Sequence, residues 1–161
     1  MIAAVHGAAL AAGIGLAANA HITIASADAR FGLTEIRIGL WPAIVFRAVA
    51  RAIGERRATE LSLTGRIFTA QEALQFGLVA ELAADPLARA LELARTLSEF
   101  SPVATAAGLE YVNRIRALDW SEAVAIGGKM RRELMAGDDF AEGVRAFLEK
   151  RTPSWPSLKP L

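Results

Sequence analysis

The fold is decided at the start of the chain, where residues 1–27 read MIAAVHGAALAAGIGLAANAHITIASA. Ile2-Ala3-Ala4-Val5 is an apolar run that ends at His6-Gly7, which is typical of a buried strand that leaves a sheet into a turn. Small, helix-compatible residues follow over 10–20, and residues 22–24 are a β-branched run. The order strand, turn, helix, strand predicts an α/β unit.

No charged residue precedes Asp28, so a secretion signal and a membrane span are alternatives for this stretch. A signal needs a basic start, which is absent, although residues 18–20 imitate a small-x-small cleavage site. A spanning helix needs about 20 predominantly apolar residues, whereas this stretch contains His6, His21 and several glycines. We therefore expect neither export nor membrane association, and the exported protein remains the weakest alternative.

The composition limits the class of protein. The chain has 161 residues, 18 basic and 17 acidic side chains and a formal net charge of +1, without a dense basic cluster. Nucleic acid is therefore not an expected partner. Cysteine is absent, which excludes disulfides, thiolate metal sites and a cysteine nucleophile, and fits a cytoplasmic protein.

The positions of glycine and proline predict where the helices and strands that follow begin and end. Helices are expected over 43–53 and 55–63, each closed by a glycine, and a capping box at Thr69–Glu72 opens a short helix that ends at Gly77. A strand is expected over 78–80. Beyond Asp85 the expected helices cover 87–98, 102–118, 121–135 and 138–150. This change in composition predicts a division into regions 1–84 and 85–161.

Two features could carry chemistry. Glu35 lies among apolar neighbours in a glycine-bounded loop, where burial would disfavour its charged form and suit it to proton transfer. The alternative is a surface carboxylate paired with Arg30 or Arg37. The turn at residues 11–13 opens a helix whose backbone N–H groups could hold an oxyanion, and its alternative is a packing turn. His6 and His21 have no third ligand, so no metal site is expected.

The motifs together resemble the enoyl-CoA hydratase/isomerase family, also called crotonases. The resemblance rests on Val5-His6-Gly7, on the turn at residues 11–13 and on the strand at 22–24. It continues in Phe31-Gly32-Leu33-Thr34-Glu35 with Gly39, and in Leu63-Thr64-Gly65 with Ala70, Glu72 and Gly77-Leu78-Val79. It spans nearly the whole chain.

This resemblance implies an α/β fold, a partial crotonase-type ββα spiral over 1–84, followed by a helical C-terminal region over 85–161 that mediates oligomerisation. It implies a homotrimer or hexamer and acyl-CoA thioester substrates, with coenzyme A as part of the substrate and no separate cofactor. The Ala12 N–H would be half of an oxyanion hole and Glu35 the acid–base residue. Further substrate contacts are expected from Ala11, Gly13, Leu33, Trp41, Pro42 and Lys150.

The sequence also departs from the family pattern. Gly15 stands where two-glutamate hydratases carry their second acid, so a carboxylate pair cannot activate water here, whereas isomerases use one acid. Trp41-Pro42 opens a segment that replaces a glycine-rich loop. The family's first strands, which supply the other oxyanion N–H, have no counterpart, so we expect a fragment or a shortened member. A catalytically inactive assembly module and an isomerase rather than a hydratase remain alternatives.

Overall fold

The computed structural model describes residues 1–158 and divides the chain into two compact units, Met1–Ala94 and a second that begins at Arg95. The first unit contains short strands and helices, and the second is helical. This agrees with the predicted order of an α/β region followed by a helical region. The division at 84/85 and the role of the second region in oligomerisation stay predictions.

Short strands in the first unit form two three-stranded sheets. The strands are β1 (Ile2–Val5), β2 (Ala8–Leu10), β3 (Ile22–Ala25), β4 (Arg30–Gly32), β5 (Ile67–Thr69) and β6 (Glu81–Leu82). One sheet has the order β1-β3-β6 and is parallel. In the other, β2 pairs parallel with β4, and β4 pairs antiparallel with β5. Strands β1 to β4 thus alternate between the two sheets, and β3 and β4 return beside β1 and β2, which makes this part of the chain a spiral.

The helices of the first unit lie close to the boundaries that the glycines and prolines predict. They are α1 (Ala12–Asn19), α2 (Ala43–Ile53), α3 (Glu55–Thr64), α4 (Ala70–Phe76) and α5 (Pro86–Ser98), whose last turn enters the second unit. The capping box of α4 is present, because the Glu72 N–H donates to Thr69 Oγ1 and the Thr69 N–H donates to Glu72 Oε2. Both bonds satisfy N–H groups that the helix itself leaves free.

Several predicted boundaries are corrected. The strand expected over 78–80 lies instead at Glu81–Leu82, because the N–H groups of Leu78 and Val79 donate to the Ala73 carbonyl and close the end of α4. The glycine-bounded loop expected around Glu35 follows strand β4 and contains a 3-10 turn, Glu35–Ile38. The helix expected over 10–20 begins at Ala12, because Leu10 belongs to β2.

The core of the first unit joins the second sheet to the helices. Phe31 of β4 and Phe68 of β5 lie opposite each other, fully buried, with ring centroids 5.8 Å apart. Aromatic pairs in such contact stabilise a sheet beyond their area of burial. Phe76 of α4 continues the stack at 5.6 Å from Phe68.

Helices α1 and α2 pack closely through a glycine. A Cβ atom on Gly15 would lie 2.3 Å from Val45 Cγ1 and 2.7 Å from Val45 Cβ. Valine has few alternative rotamers in a helix, so it cannot turn away easily. Any side chain at position 15 therefore competes with Val45 for the same volume.

The second unit contains α6 (Pro102–Arg114), α7 (Trp120–Met135) and α8 (Asp138–Glu149). The helix expected over 102–118 ends at Arg114 and continues as a 3-10 turn, Ile115–Ala117. Glu142 of α8 is buried and accepts from Arg151 Nη1 at 2.6 Å and from the Ser154 N–H at 2.8 Å. The Arg151 guanidinium lowers the pKa of the Glu142 carboxyl to about 2. Residues 159–161, the end of the predicted second region, lie outside the described residues.

No helix between residues 1 and 158 combines the length and the apolar character that crossing a membrane requires.

The contact between α1 and α2 yields a stability prediction. We expect Gly15→Ala to lower the free energy of unfolding by about 1–3 kcal/mol, because the new methyl group overpacks against Val45. Gly13→Ala is the matched control, since its Cβ would meet Ala9 Cβ at an ordinary 3.8 Å and alanine favours the helix. Urea unfolding measures both.

Val45→Ala in the Gly15→Ala background should recover part of the loss. Equal effects of Gly15→Ala and Gly13→Ala on the free energy of unfolding would contradict the proposed packing. So would additive effects of Gly15→Ala and Val45→Ala in the double variant.

Candidate active site

The turn at residues 11–13 and Glu35 lie at the same edge of the second sheet. Strands β2 and β4 are parallel neighbours, with Leu10 opposite Gly32. The Ala11 N–H donates to the Gly32 carbonyl at 2.9 Å and extends this pairing by one residue. Because the carboxyl ends of parallel strands meet at one edge, the segments that follow the two strands emerge side by side.

The segment after β2 turns sharply into helix α1. Ala11 has φ 49° and ψ −115°, a conformation that L-residues rarely adopt. Its own N–H is already used in the bond to Gly32. Ala12 is the first helical residue and is exposed, and Gly13 follows it half-buried. The N–H of a first helical residue has no carbonyl acceptor within its helix, so the Ala12 N–H is free of that bond.

The segment after β4 carries Glu35 at the start of the 3-10 turn. The residue is half-buried, and its Oε2 atom is buried with no hydrogen-bond partner among residues 1–158. Within that part of the chain, neither Arg30 nor Arg37 forms an ion pair with it. Arg30 donates instead to the carbonyls of Asp28 and Ala29. The alternative of a surface carboxylate paired with an arginine is therefore wrong.

A buried carboxylate oxygen without a partner is uncommon in folded proteins and requires an explanation. It has an unused lone pair, so it can accept a proton or a hydrogen bond from a molecule that enters the site. Glu35 lies at the same sheet edge as the N-terminus of α1. A carboxylate can transfer a proton, and a free backbone N–H can donate to a developing negative charge, so these two groups are suited to proton transfer with stabilisation of an anion.

The other residues predicted to contact the substrate differ in their exposure and in the unit to which they belong. Leu33 is fully buried in the core, and Pro42 is also buried. Trp41 is 43% exposed, and its ring packs against Phe46 with centroids 5.8 Å apart. Lys150 is an exposed residue of the second unit, at the C-terminal end of α8. The substrate-binding roles of these residues, and of Ala11 and Gly13, stay predictions.

At Gly15, where two-glutamate hydratases carry their second acid, the side chain of a neighbouring helix fills the space. Val45 occupies the volume beside Gly15, so a glutamate there would have no room unless Val45 moved. Sequence reasoning missed this role of Val45, and the only signal was that Val45 belongs to the segment that replaces a glycine-rich loop. Among residues 1–158 there is no group of three or more side chains suited to bind a metal ion.

Comparison with known proteins identifies this architecture. A family model described as enoyl-CoA hydratase/isomerase matches residues 1–158. The mevalonyl-coenzyme A hydratase of Aspergillus fumigatus is 37% identical over 165 residues, which is 99% of this chain and 61% of that protein. The 2,3-dehydroadipyl-CoA hydratase of Escherichia coli is 38% identical over 164 residues, 96% of this chain and 62% of that protein.

Solved structures agree. The crystal structure of an enoyl-CoA hydratase from Mycobacterium smegmatis matches with a TM-score of 0.87 and 36% identity, over 96% of this chain and 61% of that one. The fold is thus of the crotonase type, and the chain belongs to the enoyl-CoA hydratase/isomerase family. It spans about three fifths of the length of the relatives named above.

The strained turn yields a second stability prediction. We expect Ala11→Gly to raise the free energy of unfolding by about 1 kcal/mol, because glycine adopts a positive φ without the steric cost that alanine carries. Ala12→Gly is the matched control, and it should be neutral or destabilising because glycine disfavours a helix. Thermal unfolding of both variants measures the difference. If Ala11→Gly is the more damaging of the two changes, the positive φ at position 11 is incorrect.

Proposed function

We propose that this protein catalyses proton transfer on acyl-CoA thioesters, as an enoyl-CoA hydratase-like lyase or isomerase with a single glutamate. The observation that carries the proposal is the buried Oε2 atom of Glu35, which has no hydrogen-bond partner within residues 1–158 and lies at the sheet edge from which helix α1 also begins. Membership of the family supports the substrate class, because relatives named above are hydratases of CoA thioesters.

The chemistry follows from these two groups. The thioester carbonyl polarises its neighbouring C–H bond, and removal of that proton leaves an enolate whose negative charge resides on the carbonyl oxygen. A backbone N–H directed at this oxygen stabilises the enolate more than the neutral carbonyl, which lowers the barrier. In the proposal Ala12 supplies this N–H, and the Glu35 carboxylate takes the proton and returns it.

One carboxylate is sufficient for an isomerase, since the same group can remove a proton at C2 or C4 and return it at the other carbon. Addition of water requires a base that takes a proton from the water as its oxygen adds at C3, and an acid that delivers a proton to C2. Glu35 must perform both steps alone, because Val45 closes the space beside Gly15 in which a second acid would lie. Both reactions share the enolate. Coenzyme A enters as part of the substrate, and we propose no other cofactor and a cytoplasmic setting.

The test is turnover by the full chain of a 2-enoyl-CoA, followed as hydration, and of a 3-enoyl-CoA, followed as isomerisation. Glu35→Gln removes the proton-transfer group and keeps the shape of the side chain. We expect it to lower kcat for the accepted substrate by about 10²–10⁴-fold. Glu55→Gln, an exposed carboxylate at the start of α3, is the control and should leave kcat unchanged.

The ratio of the two activities assigns the chain as a hydratase or as an isomerase. Equal turnover by the parent and Glu35→Gln contradicts the role of Glu35. No turnover of either substrate contradicts the catalytic proposal and favours the inactive assembly module.

A second proposal concerns assembly of several copies of the chain. It rests on helix α8, which exposes large apolar side chains to solvent. Phe147 is 81% exposed and Leu148 is 73% exposed. They line an apolar groove of about 700 Å³ within the second unit, together with Val103 and Trp155. We propose that this face is covered by further copies of the chain in a trimer or hexamer.

Light scattering tests the assembly proposal. The parent chain should have the mass of three or six copies, and Phe147→Glu should shift it to monomer, because an interface does not accommodate an unpaired charge. Arg131→Glu, an exposed change on α7, is the control and should keep the assembly. A monomeric parent chain contradicts the proposal, as does a Phe147→Glu variant that stays assembled.

A further inference from the structure

The segment that carries Glu35 is held from one side by a glycine far along the chain. Gly65 ends helix α3 with φ 57° and is buried. A Cβ atom on Gly65 would lie 2.7 Å from Ile36 Cγ2 and 3.3 Å from Arg37 Cγ. The side chains of Ile36 and Arg37 therefore occupy the space that a side chain on Gly65 would need.

The residue after Gly65 holds the other end of the same segment. The Arg66 carbonyl oxygen lies 3.3 Å from the position of a Cβ on Gly32, the last residue of β4, and Gly32 pairs with Ile67 of β5. The Glu35 segment is thus flanked by glycine contacts at Gly32 and at Gly65, and one stretch of chain, Gly65 to Ile67, supplies both.

This stretch is itself anchored. Arg66 Nε donates to Glu60 Oε1 of α3 at 3.0 Å, and Arg66 Nη1 donates to Glu72 Oε1 of α4 at 2.8 Å. Each pair is partly exposed and contributes little alone, but together they tie Arg66 to the helices on either side of it. The Phe31–Phe68 pair holds the adjoining strands.

From these contacts we infer that Gly65 and Ile36 are positioning residues that set the place of the Glu35 carboxylate. The inference rests on the proposed function for its catalytic consequence. In this inference both residues act through Glu35 and not on the substrate. Their contact fixes the 3-10 turn, and a displacement of about 1 Å in a catalytic group can cost on the order of 10²-fold in rate.

The test compares Ile36→Ala with Ile38→Ala in the full chain. Both isoleucines lie in the same 3-10 turn, at 38% and 76% exposure, but only Ile36 contacts Gly65 closely. Ile36→Ala should lower kcat by about 10–100-fold with KM changed by less than about twofold, because substrate binding is retained while orientation is lost. Ile38→Ala should leave kcat near the parent value.

A readout without substrate separates this inference from the proposed function. The ¹³C NMR signal of the Glu35 carboxyl carbon, assigned by its loss in Glu35→Gln, should shift in Ile36→Ala and stay in place in Ile38→Ala. If the parent chain turns over no enoyl-CoA, the proposed function fails and the NMR comparison still decides the positioning. An unmoved signal, or equal kcat values for the two variants, overturns the inference.

Gly65→Ala is the second variant, with Gly77→Ala as its control. Both glycines end a helix with positive φ, but a Cβ on Gly77 would meet only the Ala52 carbonyl at 3.7 Å. Gly65→Ala should shift the Glu35 signal and Gly77→Ala should not. Equal behaviour of the two folded variants contradicts the inference, and if Gly65→Ala does not fold, the Ile36 and Ile38 pair decides.

Discussion

The pairing of β2 with β4 sets where the two halves of the candidate site lie. The two strands have three residues each, and they are parallel, so neither a hairpin nor a long ladder holds them together. The bond from the Ala11 N–H to the Gly32 carbonyl fixes the register at the end of the pair. A slip of one residue would turn each side chain to the opposite face and would separate the start of α1 from Glu35.

Local signals predicted much of the helical structure. A glycine predicted the end of α2, and the Thr69–Glu72 capping box predicted the start of α4, because both features act within one helical turn. Strands β2, β4 and β5 were not predicted, since three residues carry too little periodicity and their partners lie up to dozens of residues away. Their existence depends on tertiary pairing rather than on local preference.

The candidate site divides in the same way. Glu35 and the turn at residues 11–13 were found from the sequence, because an acid among apolar neighbours and a turn that opens a helix are local features. The contacts of Gly15 with Val45 and of Gly65 with Ile36 join residues about 30 positions apart in the chain, and no local pattern reveals them. In both contacts a glycine without a side chain admits a β-branched neighbour.

We propose that one carboxylate and one backbone donor at this edge generate an enolate, and exchange of the C2 proton with solvent reports that step without any later chemistry. A saturated acyl-CoA in deuterated water cannot be hydrated or isomerised, so incorporation of one deuterium at C2 reports enolate formation alone. We expect the parent chain to incorporate deuterium, measured by mass spectrometry, and the Glu35→Gln variant not to do so. Incorporation at the same rate by both proteins, or by neither, would contradict it.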